Sequence, residues 1–341
     1  MELASQEFIN VIKEGSKEST LDVPICLTFW NRPDCLRSLL AIFRQVKPAE
    51  LFLYQNAPLA TFSESKKQAY QDCRRIITDF LDSIDWSCSV HFWFPQNCLE
   101  VYSSVCRAIR WAFSSADSCI VLEDDDAPEI SWFQLVSILL KKYQNDPKVA
   151  SITCEVNFGD SARFDDSFDF LFSKITSVHA WASWKRFIDQ WDSSYSWFFD
   201  ALERKKIKRF YGQRYYKRLI KNALPFAQSK IPEYEFFISA ARAANESYSI
   251  VPTRNMLKYN GMDGEHSAGT ELFTKKDKTY FFKKSYPVSF PLREPPYLFH
   301  DSKFDQKMLS YASRNFGDSL EKAWLLFKRG QLLRYILHKK K

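Results

Sequence analysis

The chain has 341 residues, of which 45% are hydrophobic and 16% aromatic, which is enough for one large globular domain or two modest ones. These proportions exclude an intrinsically disordered chain, and no apolar run approaches the ~18 residues that a membrane-spanning helix requires. The net charge is +7, and its excess lies in two stretches rich in Lys and Arg, residues 204–221 and 322–341, which predict attraction to a polyanion or an anionic membrane face.

The cysteine and glycine content narrows the class of protein. Eight cysteines are scattered without CxxC spacing, and several fall within apolar strand or helix patterns, so we expect free thiols in a reducing compartment. The polar, acidic N-terminus lacks the pattern of a signal peptide, and we expect a cytoplasmic protein. Glycine is scarce, at eight residues, and no glycine-rich phosphate loop occurs. Any bound phosphate must therefore be held by a metal, basic side chains or helix N-termini.

After an amphipathic lead-in over residues 1–20, the chain alternates between buried strands and helices. The predicted strands are 24–29, 51–54, 90–94, 119–122 and 149–153. The helices, marked by apolar residues at helical spacing, are 36–43, 69–81, 101–113 and 132–143. This alternation predicts an α/β fold, a mainly parallel, Rossmann-like sheet with helices on both faces. Polar loops follow the strands at their carboxyl ends, where such sheets bind ligands.

The alternation ends near residue 160, which divides the predicted domain into halves 1–160 and 161–300, followed by a basic helical tail, 301–341. The second half predicts short strands at 168–172 and 249–251, a helix ending at Trp191, a basic helix over 201–221 and a helix that Pro232 opens and that runs to about 244. Residues 268–300 are rich in Lys and Pro and are predicted to be extended.

The run Glu123-Asp124-Asp125-Asp126 directly follows the predicted buried strand 119–122. Adjacent carboxylates repel one another, and Mg²⁺ or Mn²⁺ would offset that repulsion while keeping coordination positions open for phosphate oxygens. The alternative is an acidic surface turn. Because the acids follow a buried strand of an α/β sheet, we favour the metal site.

Five short motifs occur in an order that resembles the GT-A fold glycosyltransferases, which use nucleotide-sugars. The motifs are a strand then Asn31-Arg32-Pro33, a strand then Gln55-Asn56, a strand then Glu123-Asp124-Asp125, the segment Trp181-Ala182-Ser183-Trp184-Lys185, and an acidic helix start at Glu233. The pattern is most similar to a bacterial group sometimes labelled hemolysin-activation-like, which in turn resembles N-acetylglucosaminyltransferase I. The likeness spans residues 22–298.

The resemblance implies that residues 1–160 bind the nucleotide-sugar and that 161–300 bind the acceptor and carry catalysis. The implied nucleotide-sugar contacts are Thr28, Asn31, Arg32, Asn56, Arg110, Glu123, Asp124 and Trp181. Arg32 would pack on the base, whereas Asn56 departs from the family's acidic residue and leaves the base contact open. Asp125 would hold Mn²⁺ or Mg²⁺. His266 is a second metal contact, a phosphate or acceptor contact, or a loop histidine without a ligand.

An inverting enzyme needs one carboxylate to take the proton of the acceptor hydroxyl. By resemblance, Glu235 matches the base of the N-acetylglucosaminyltransferase I pattern, and Glu233 matches the acid of the bacterial group. The two lie two residues apart at a predicted helix start, so at most one is the base, and the other favours the helix dipole. Inversion or retention stays open. Trp181 and Trp184 stack on sugar faces or belong to the core.

These observations predict a metal-dependent glycosyltransferase that moves a sugar from a UDP-sugar to a glycan or lipid-linked glycan, in bacterial surface polysaccharide or glycoconjugate assembly. The basic, aromatic segments 206–221 and 324–341 predict peripheral binding to an anionic membrane from the cytoplasmic side. The alternative is a metal-dependent nuclease or nucleic-acid-binding protein. No nucleic-acid motif appears, and the basic stretches lie far in sequence from the acids, so we expect no nucleic-acid partner.

Overall fold

The computed structural model describes residues 7–157, 164, 167–260 and 273–312, together with 321, 324–326 and 328. The described strands are β1 (Glu7–Lys13), β2 (Ile25–Phe29), β3 (Glu50–Gln55), β4 (Cys88–Phe94), β5 (Ser118–Glu123), β6 (Asp126–Pro128), β7 (Val149–Thr153), β8 (Phe170–Ser173), β9 (Trp181–Trp184), β10 (Tyr248–Pro252) and β11 (Leu257–Tyr259). The described helices are α1 (Pro33–Val46), α2 (Glu64–Ser83), α3 (Val101–Ser115), α4 (Ile130–Lys142), α5 (Lys185–Ile188), α6 (Ser196–Phe199), α7 (Ala201–Tyr211), α8 (Gln213–Ser229), α9 (Tyr234–Asn245), α10 (Lys275–Phe281) and α11 (Ser302–Ala312).

Nine strands form one sheet in the order β1-β4-β3-β2-β5-β9-β7-β10-β8. Strands β4, β3, β2, β5, β7 and β10 run in one direction, and β1, β9 and β8 run against them. Strands β6 and β11 form a separate antiparallel pair. The predicted fold class is confirmed: the protein is a mixed α/β fold with a mainly parallel central sheet. Because strands from both sides of residue 160 share this sheet, the two predicted halves are not separate layers, and the division at that residue stays a prediction.

Helices cover both faces of the sheet because successive side chains of each strand point to opposite sides. In β2, Ile25 and Leu27 belong to the apolar cluster that includes α1, α2 and α4. Cys26 belongs to the other cluster, which includes α3 and α5 to α9. All five residues of β2 are buried, as expected for a central strand covered on both sides. The α/β core therefore consists of two apolar layers separated by the sheet.

The predicted order of strands and helices from residue 24 to residue 153 is confirmed, and the differences involve segments paired at long range. Residues Glu7–Lys13, the predicted lead-in, form β1, which pairs antiparallel with β4. Trp181 and Trp184 lie in β9, between β5 and β7. Because they are three residues apart on one strand, the two side chains point to opposite faces of the sheet.

Two further predictions are wrong in detail. The basic helix predicted over 201–221 is two helices, because Gly212 adopts φ +79° and ends α7 before α8 begins. The extended segment predicted over 268–300 contains α10. Its start has a reciprocal cap in which the Thr274 hydroxyl accepts from Asp277 N at 3.1 Å and the Asp277 carboxylate accepts from Thr274 N at 3.0 Å.

After α10, residues 283–301 pass back across the helix-covered sheet, and we call them the return segment. Lys283 forms a buried ion pair with Glu155, which follows β7, and the two side chains are 2% and 4% exposed. The backbone N–H of Val288 donates to Ser131 Oγ of α4 at 3.0 Å. The return segment is thereby attached to the sheet and to one helical layer.

All eight cysteines fall within the described residues and are free thiols, and six of them are buried. This agrees with the prediction of unpaired thiols inside the core. Among the residues that the structure describes, no helix combines the length and apolar character needed to cross a bilayer.

Candidate functional site

The site lies where β2 and β5 end side by side. The two strands are parallel neighbours, and Thr28 pairs with Glu123 at the last step of their register. The loop that begins at Trp30 and the acidic run after Glu123 therefore leave the sheet at the same edge. Thr28 is buried within β2, so its contribution is to hold this register. Asn31 follows in the loop and is half-buried.

Arg32 pairs with both Asp124 and Asp125. Its Nη1 atom lies 2.6 Å from Asp125 Oδ2, and its Nη2 atom contacts Asp124 Oδ1. The backbone N–H of Trp30 donates to the second oxygen of Asp124 at 3.3 Å. Both aspartates are buried, at 1% and 5% exposure. One guanidinium thus pairs with two buried carboxylates and reduces their mutual repulsion.

Burial raises the pKa of Asp124 to about 7, with Arg32 lowering it and Asp125 raising it further. Burial alone would lower the pKa of Arg32, but the charges of Asp124 and Asp125 raise it above its usual value. Arg32 is therefore charged at every accessible pH, and the proton balance of the site depends on the carboxylates.

Asp126 has a structural role at the turn. One of its carboxylate oxygens accepts from Glu123 N at 2.9 Å and from Ala180 N at 3.1 Å, which joins the end of β5 to the start of β9. Its other oxygen, Oδ1, is buried without a hydrogen-bond partner in the part of the chain that the structure describes, and His179 Nδ1 lies 4.0 Å from it. Burial, followed by the charge of Asp125, raises the pKa of Asp126 well above its usual range.

Asp125 also has one buried oxygen, Oδ1, without a hydrogen-bond partner among the described residues. Its backbone carbonyl accepts from Asn260 N at 2.9 Å, at the end of β11. An uncompensated carboxylate oxygen at this edge fits a hard divalent cation, which prefers such oxygens. The described residues contain no group of three His, Cys, Asp or Glu side chains able to hold a metal ion together, so other ligands would have to come from water, substrate or the remaining chain.

The start of α9 reaches the acidic run through one hydrogen bond, in which the Tyr234 hydroxyl donates to Glu123 Oε1 at 3.4 Å. Glu233 caps this helix, and its carboxylate accepts from Glu235 N at 3.2 Å. Glu233 is buried, and burial, with a smaller effect of Glu235, raises its pKa to about 8. The Glu235 side chain is exposed. The structure thus brings both predicted candidate bases close to the acidic run.

Two open cavities flank these groups. The first, of about 340 Å³, lies against the start of α1 and is lined by Arg32, Pro33, Asp34, Cys35, Ser38 and Asn260. The second, of about 450 Å³, lies between α3, α8 and α9 and is lined by Tyr102, Lys221, Asn222, Pro225, Phe226, Glu233, Glu235 and Phe236. Both candidate bases therefore face the same open space.

Asn56 and Arg110 have partners elsewhere in the fold. The Asn56 amide donates to Leu99 O at 2.7 Å and accepts from Leu99 N at 3.0 Å, which fixes the approach to α3. This pairing needs both a donor and an acceptor, and it explains an amide where the resembled family has an acid. Arg110 is exposed on α3 and donates to Trp191 O at 2.9 Å. Neither side chain contacts the acidic run in this structure.

Trp181 is 1% exposed and stacks with Tyr234 at 6.2 Å between ring centroids and 14° between planes. Its indole N–H is buried without a partner among the described residues. Trp184 is 4% exposed and donates to Leu140 O at 3.1 Å. No face of either ring is open to a sugar. Trp181 therefore supports the site indirectly, by packing against Tyr234, whose hydroxyl donates to Glu123.

His266 lies outside the described residues. His179, which belongs to none of the sequence motifs, faces the acidic run, and its ring centroid lies 5.9 Å from that of Tyr259. Burial alone would lower its pKa, but Glu155, Asp126 and other nearby acids raise it to about 9. His179 is therefore a cation at neutral pH. Its position just before the Trp181 motif was the available signal.

No protein-family model matches the chain, and no curated protein matches it. Among solved structures, residues 1–349 of TarS from S. aureus align with 8% identity and a TM-score of 0.33, over 48% of this chain and 47% of that one. Mannose-1-phosphate geranyltransferase from Thermus thermophilus aligns with 10% identity and a TM-score of 0.31, over 67% of this chain and 73% of that one. This chain thus spans about half the length of the TarS structure. At these TM-scores, neither alignment supports a conclusion about activity.

Proposed function

We propose that the protein is a glycosyltransferase that uses a nucleotide-sugar, with UDP as the carrier, and transfers the sugar to a glycan. The observation that carries the proposal is the clustering of Arg32, Asp124 and Asp125 at the carboxyl edge of the parallel sheet. The Tyr234 hydroxyl joins this cluster to the acidic start of α9 through Glu123. The proposed donor site and the candidate bases would therefore be joined by one hydrogen bond, beside two open cavities.

The proposed cofactor is Mn²⁺ or Mg²⁺, which would be held by Asp125 through its unpartnered Oδ1. A divalent cation would neutralise the charge that develops on a diphosphate leaving group. His266 remains a candidate second contact. Asp124 and Glu123 would accept hydrogen bonds from the ribose and sugar hydroxyls, and Thr28, Asn31 and Trp181 would support this pocket through the backbone and core. Asn56 and Arg110 would have to leave Leu99 and Trp191 to contact the nucleotide-sugar.

Arg32 has two tasks in this proposal. In the absence of ligand, it pairs with Asp124 and Asp125 and reduces their mutual repulsion. When a nucleotide diphosphate occupies the adjacent cavity, its guanidinium would bind the phosphate oxygens or pack on the base. The cavity of about 340 Å³ beside Arg32 offers space for that ligand.

For proton transfer we propose Glu235 as the base. Its side chain is exposed in the second cavity and is free to reach an acceptor hydroxyl. Glu233 is occupied as the cap of α9, which suits a positioning role better. The proposed acceptor is a glycan or a lipid-linked glycan of the bacterial surface. Peripheral binding to an anionic membrane through the basic segments belongs to the same proposal, as does a cytoplasmic location.

The test is the thermal unfolding of the purified protein with UDP and Mn²⁺. A ligand at 100 times its Kd stabilises the native state by about 2.7 kcal/mol, so the melting temperature should rise by a few degrees. Asp125→Ala should abolish the rise, because it removes the proposed metal ligand. Asp79→Ala, an exposed acid of α2, is the matched control and should keep it.

Oligonucleotides in the same assay address the nuclease alternative. If they raise the melting temperature while UDP with Mn²⁺ does not, the glycosyltransferase proposal is wrong. A full UDP response in Asp125→Ala would leave the proposal without its metal site.

A further inference from the structure

We propose that the acceptor is a saccharide bearing a phosphate group, and that the basic face of α8 binds this phosphate next to the candidate base. This inference rests on the proposed function, because it names the substrate class of the second cavity. The basic face is defined by the four exposed cations of α8: Arg214, Lys217, Arg218 and Lys221.

The four cations form one stripe along the helix. Arg214 lies three residues before Lys217 and four before Arg218, and Lys221 lies four and three residues after the same two, so the four cations share a side of α8. The buried residues Leu219, Ala223 and Ala227 occupy the opposite side, against the core. From Gln213 to Ser229 the helix contains no Asp or Glu, so it offers the stripe no internal counter-charge.

The C-terminal end of the stripe lies in the cavity that the candidate bases line. Lys221 lines that cavity with Glu233 and Glu235. Arg218 lies one turn earlier on α8, and its charge acts on Glu235. Removal from water by the surrounding chain raises the pKa of Glu235, and the charges of His179 and Arg218 oppose that rise. A cationic helix face and a candidate proton acceptor thus share one open space.

Lys221 differs from two cations of the neighbouring helix α7, each of which has a carboxylate partner. On α7, Lys206 pairs with Glu203 at 2.7 Å, and Arg209 pairs with Glu246 at 3.2 Å. In the described part of the chain, no carboxylate lies within ion-pair distance of Lys221. Lys221 therefore projects an uncompensated charge into the cavity, where an anion would bind it.

Aromatic side chains in the same cavity indicate that the anion is attached to a sugar. Tyr102 is 42% exposed and packs edge-on against Phe226 at 4.9 Å, and Phe226 contacts Phe236 at 5.2 Å. An apolar ring face suits the CH face of a sugar, whereas an Arg fork and a Lys ammonium suit the oxygens of a phosphate. Aromatic rings and the Lys221 ammonium line one space, with Arg218 one helical turn away, and this combination matches a ligand that has both a sugar and an anionic group.

The experiment is calorimetric titration with lactose monophosphate and with lactose, in EDTA and without nucleotide. We expect the native protein to bind lactose monophosphate at least about tenfold more tightly, the factor that one charge-assisted hydrogen bond supplies. In the double variant Arg218→Gln, Lys221→Gln, this preference should fall below about twofold. The matched control is Lys205→Gln, Lys208→Gln, which removes the same charge from exposed positions of α7 and should keep the preference.

Equal affinity for the two sugars in the native protein would overturn the inference, because the phosphate would then contribute nothing to binding. An equal loss of the phosphate preference in both double variants would also overturn it, since only the overall charge of the protein would then matter. Two sources share this chemistry: a soluble polymer with phosphate-linked sugars, and a lipid-linked sugar diphosphate. Phosphatidylcholine vesicles carrying an alkyl-diphosphate-linked saccharide separate them. Tighter binding to these vesicles than to the same head group free in solution indicates the lipid-linked source, and equal binding indicates the soluble one.

The change in melting temperature with UDP and Mn²⁺, measured on the same samples, distinguishes failure of the proposed donor site from failure of the proposed acceptor site. If that response is absent while the phosphate preference depends on Arg218 and Lys221, the donor assignment fails and the anion site stands. If the response is present without any phosphate preference, the acceptor inference fails alone.

Discussion

At the scale of single residues, the contacts of Arg32 determine the charge of the site. Among the described residues, it is the cation that contacts Asp124 and Asp125 directly, and both aspartates are almost fully buried. A buried carboxylate without a partner is strongly unfavourable, so the stability of the metal-free protein depends on this guanidinium.

We predict that Arg32→Gln lowers the free energy of unfolding by about 3–5 kcal/mol, because two buried carboxylates lose their counter-ion. Mn²⁺ should restore part of this loss, so the melting temperature of the variant should respond to Mn²⁺ more than that of the native protein. The control is Arg37→Gln, since Arg37 pairs with an exposed Asp34 and contributes little. An Mn²⁺ response that is identical in Arg32→Gln and the native protein would argue against a cation at this site.

Glu233 has a pKa of about 8 in the folded protein, against 4.5 for an ordinary glutamate. Between these values the native state binds a proton that the unfolded chain has lost, so the free energy of unfolding falls as pH rises. Glu233→Gln mimics the protonated form and keeps an oxygen for the helix cap. We expect the variant to match the native protein near pH 4 and to exceed it by up to about 4 kcal/mol near pH 9.

Denaturant titrations across this pH range measure the effect. Glu64→Gln, which changes an exposed acid at the start of α2, is the control and should leave the pH profile unchanged. A profile for Glu233→Gln that parallels the native one would show that Glu233 ionises normally.

The sequence allowed the meeting of Arg32 with the acidic run to be predicted, because both follow parallel strands and such ends share an edge. It did not allow the partners of Asn56, Arg110 and Trp181 to be predicted. Those partners, among them Leu99 for Asn56, come from distant parts of the chain. A residue type at a motif position does not show whether its polar atoms are already used by the fold.

At the scale of elements, Gly212 separates two basic helices that the sequence pattern would join. Its φ of +79° and ψ of +168° fall in a region that is almost confined to glycine. A Cβ there would have no atom within 4 Å, so any cost of substitution comes from the backbone rather than from a clash.

We predict that Gly212→Ala and Gly212→Asn each lower the free energy of unfolding by about 1–3 kcal/mol. Asn tolerates the left-handed helical region, but the ψ here lies outside it, so Asn should bring no relief. Chemical denaturation measures both variants, with Gln213→Ala at the exposed next position as the control. Full rescue by Asn would place Gly212 in the left-handed helical region instead.

The elements of the first half could be predicted from local patterns, because each strand and helix there has its own period, and β2, β3 and β4 are neighbours both in sequence and in the sheet. Strand β9 could not, since it pairs between β5 and β7 from a distant part of the chain. The start of α10 was predictable in principle from the reciprocal cap of Thr274 and Asp277.

At the scale of the whole molecule, the return segment attaches the chain after α10 to the centre of the fold. Its main polar anchor is the buried pair of Lys283 and Glu155, which the Tyr280 hydroxyl also contacts at 3.4 Å. Burial alone would raise the pKa of Glu155, but Lys283 more than offsets this and lowers it.

We predict that Lys283→Met lowers the free energy of unfolding by about 3–5 kcal/mol at neutral pH, because it leaves Glu155 charged and buried. The double variant Lys283→Met, Glu155→Gln should recover much of this loss. For the single variant, the loss should shrink as pH falls and Glu155 becomes protonated. Denaturation at several pH values measures both effects, and a loss independent of pH would mean that packing rather than charge is involved.

The double pairing of Arg32 also has a consequence for the order in which ligands arrive. A divalent ion that comes alone must compete with a guanidinium already seated on Asp124 and Asp125. A divalent ion that binds together with a nucleotide diphosphate displaces the guanidinium of Arg32 more easily, because the diphosphate is a new anionic partner for that guanidinium. Under the proposed function, the free protein should therefore hold the ion weakly, and the ion and the nucleotide-sugar should bind together.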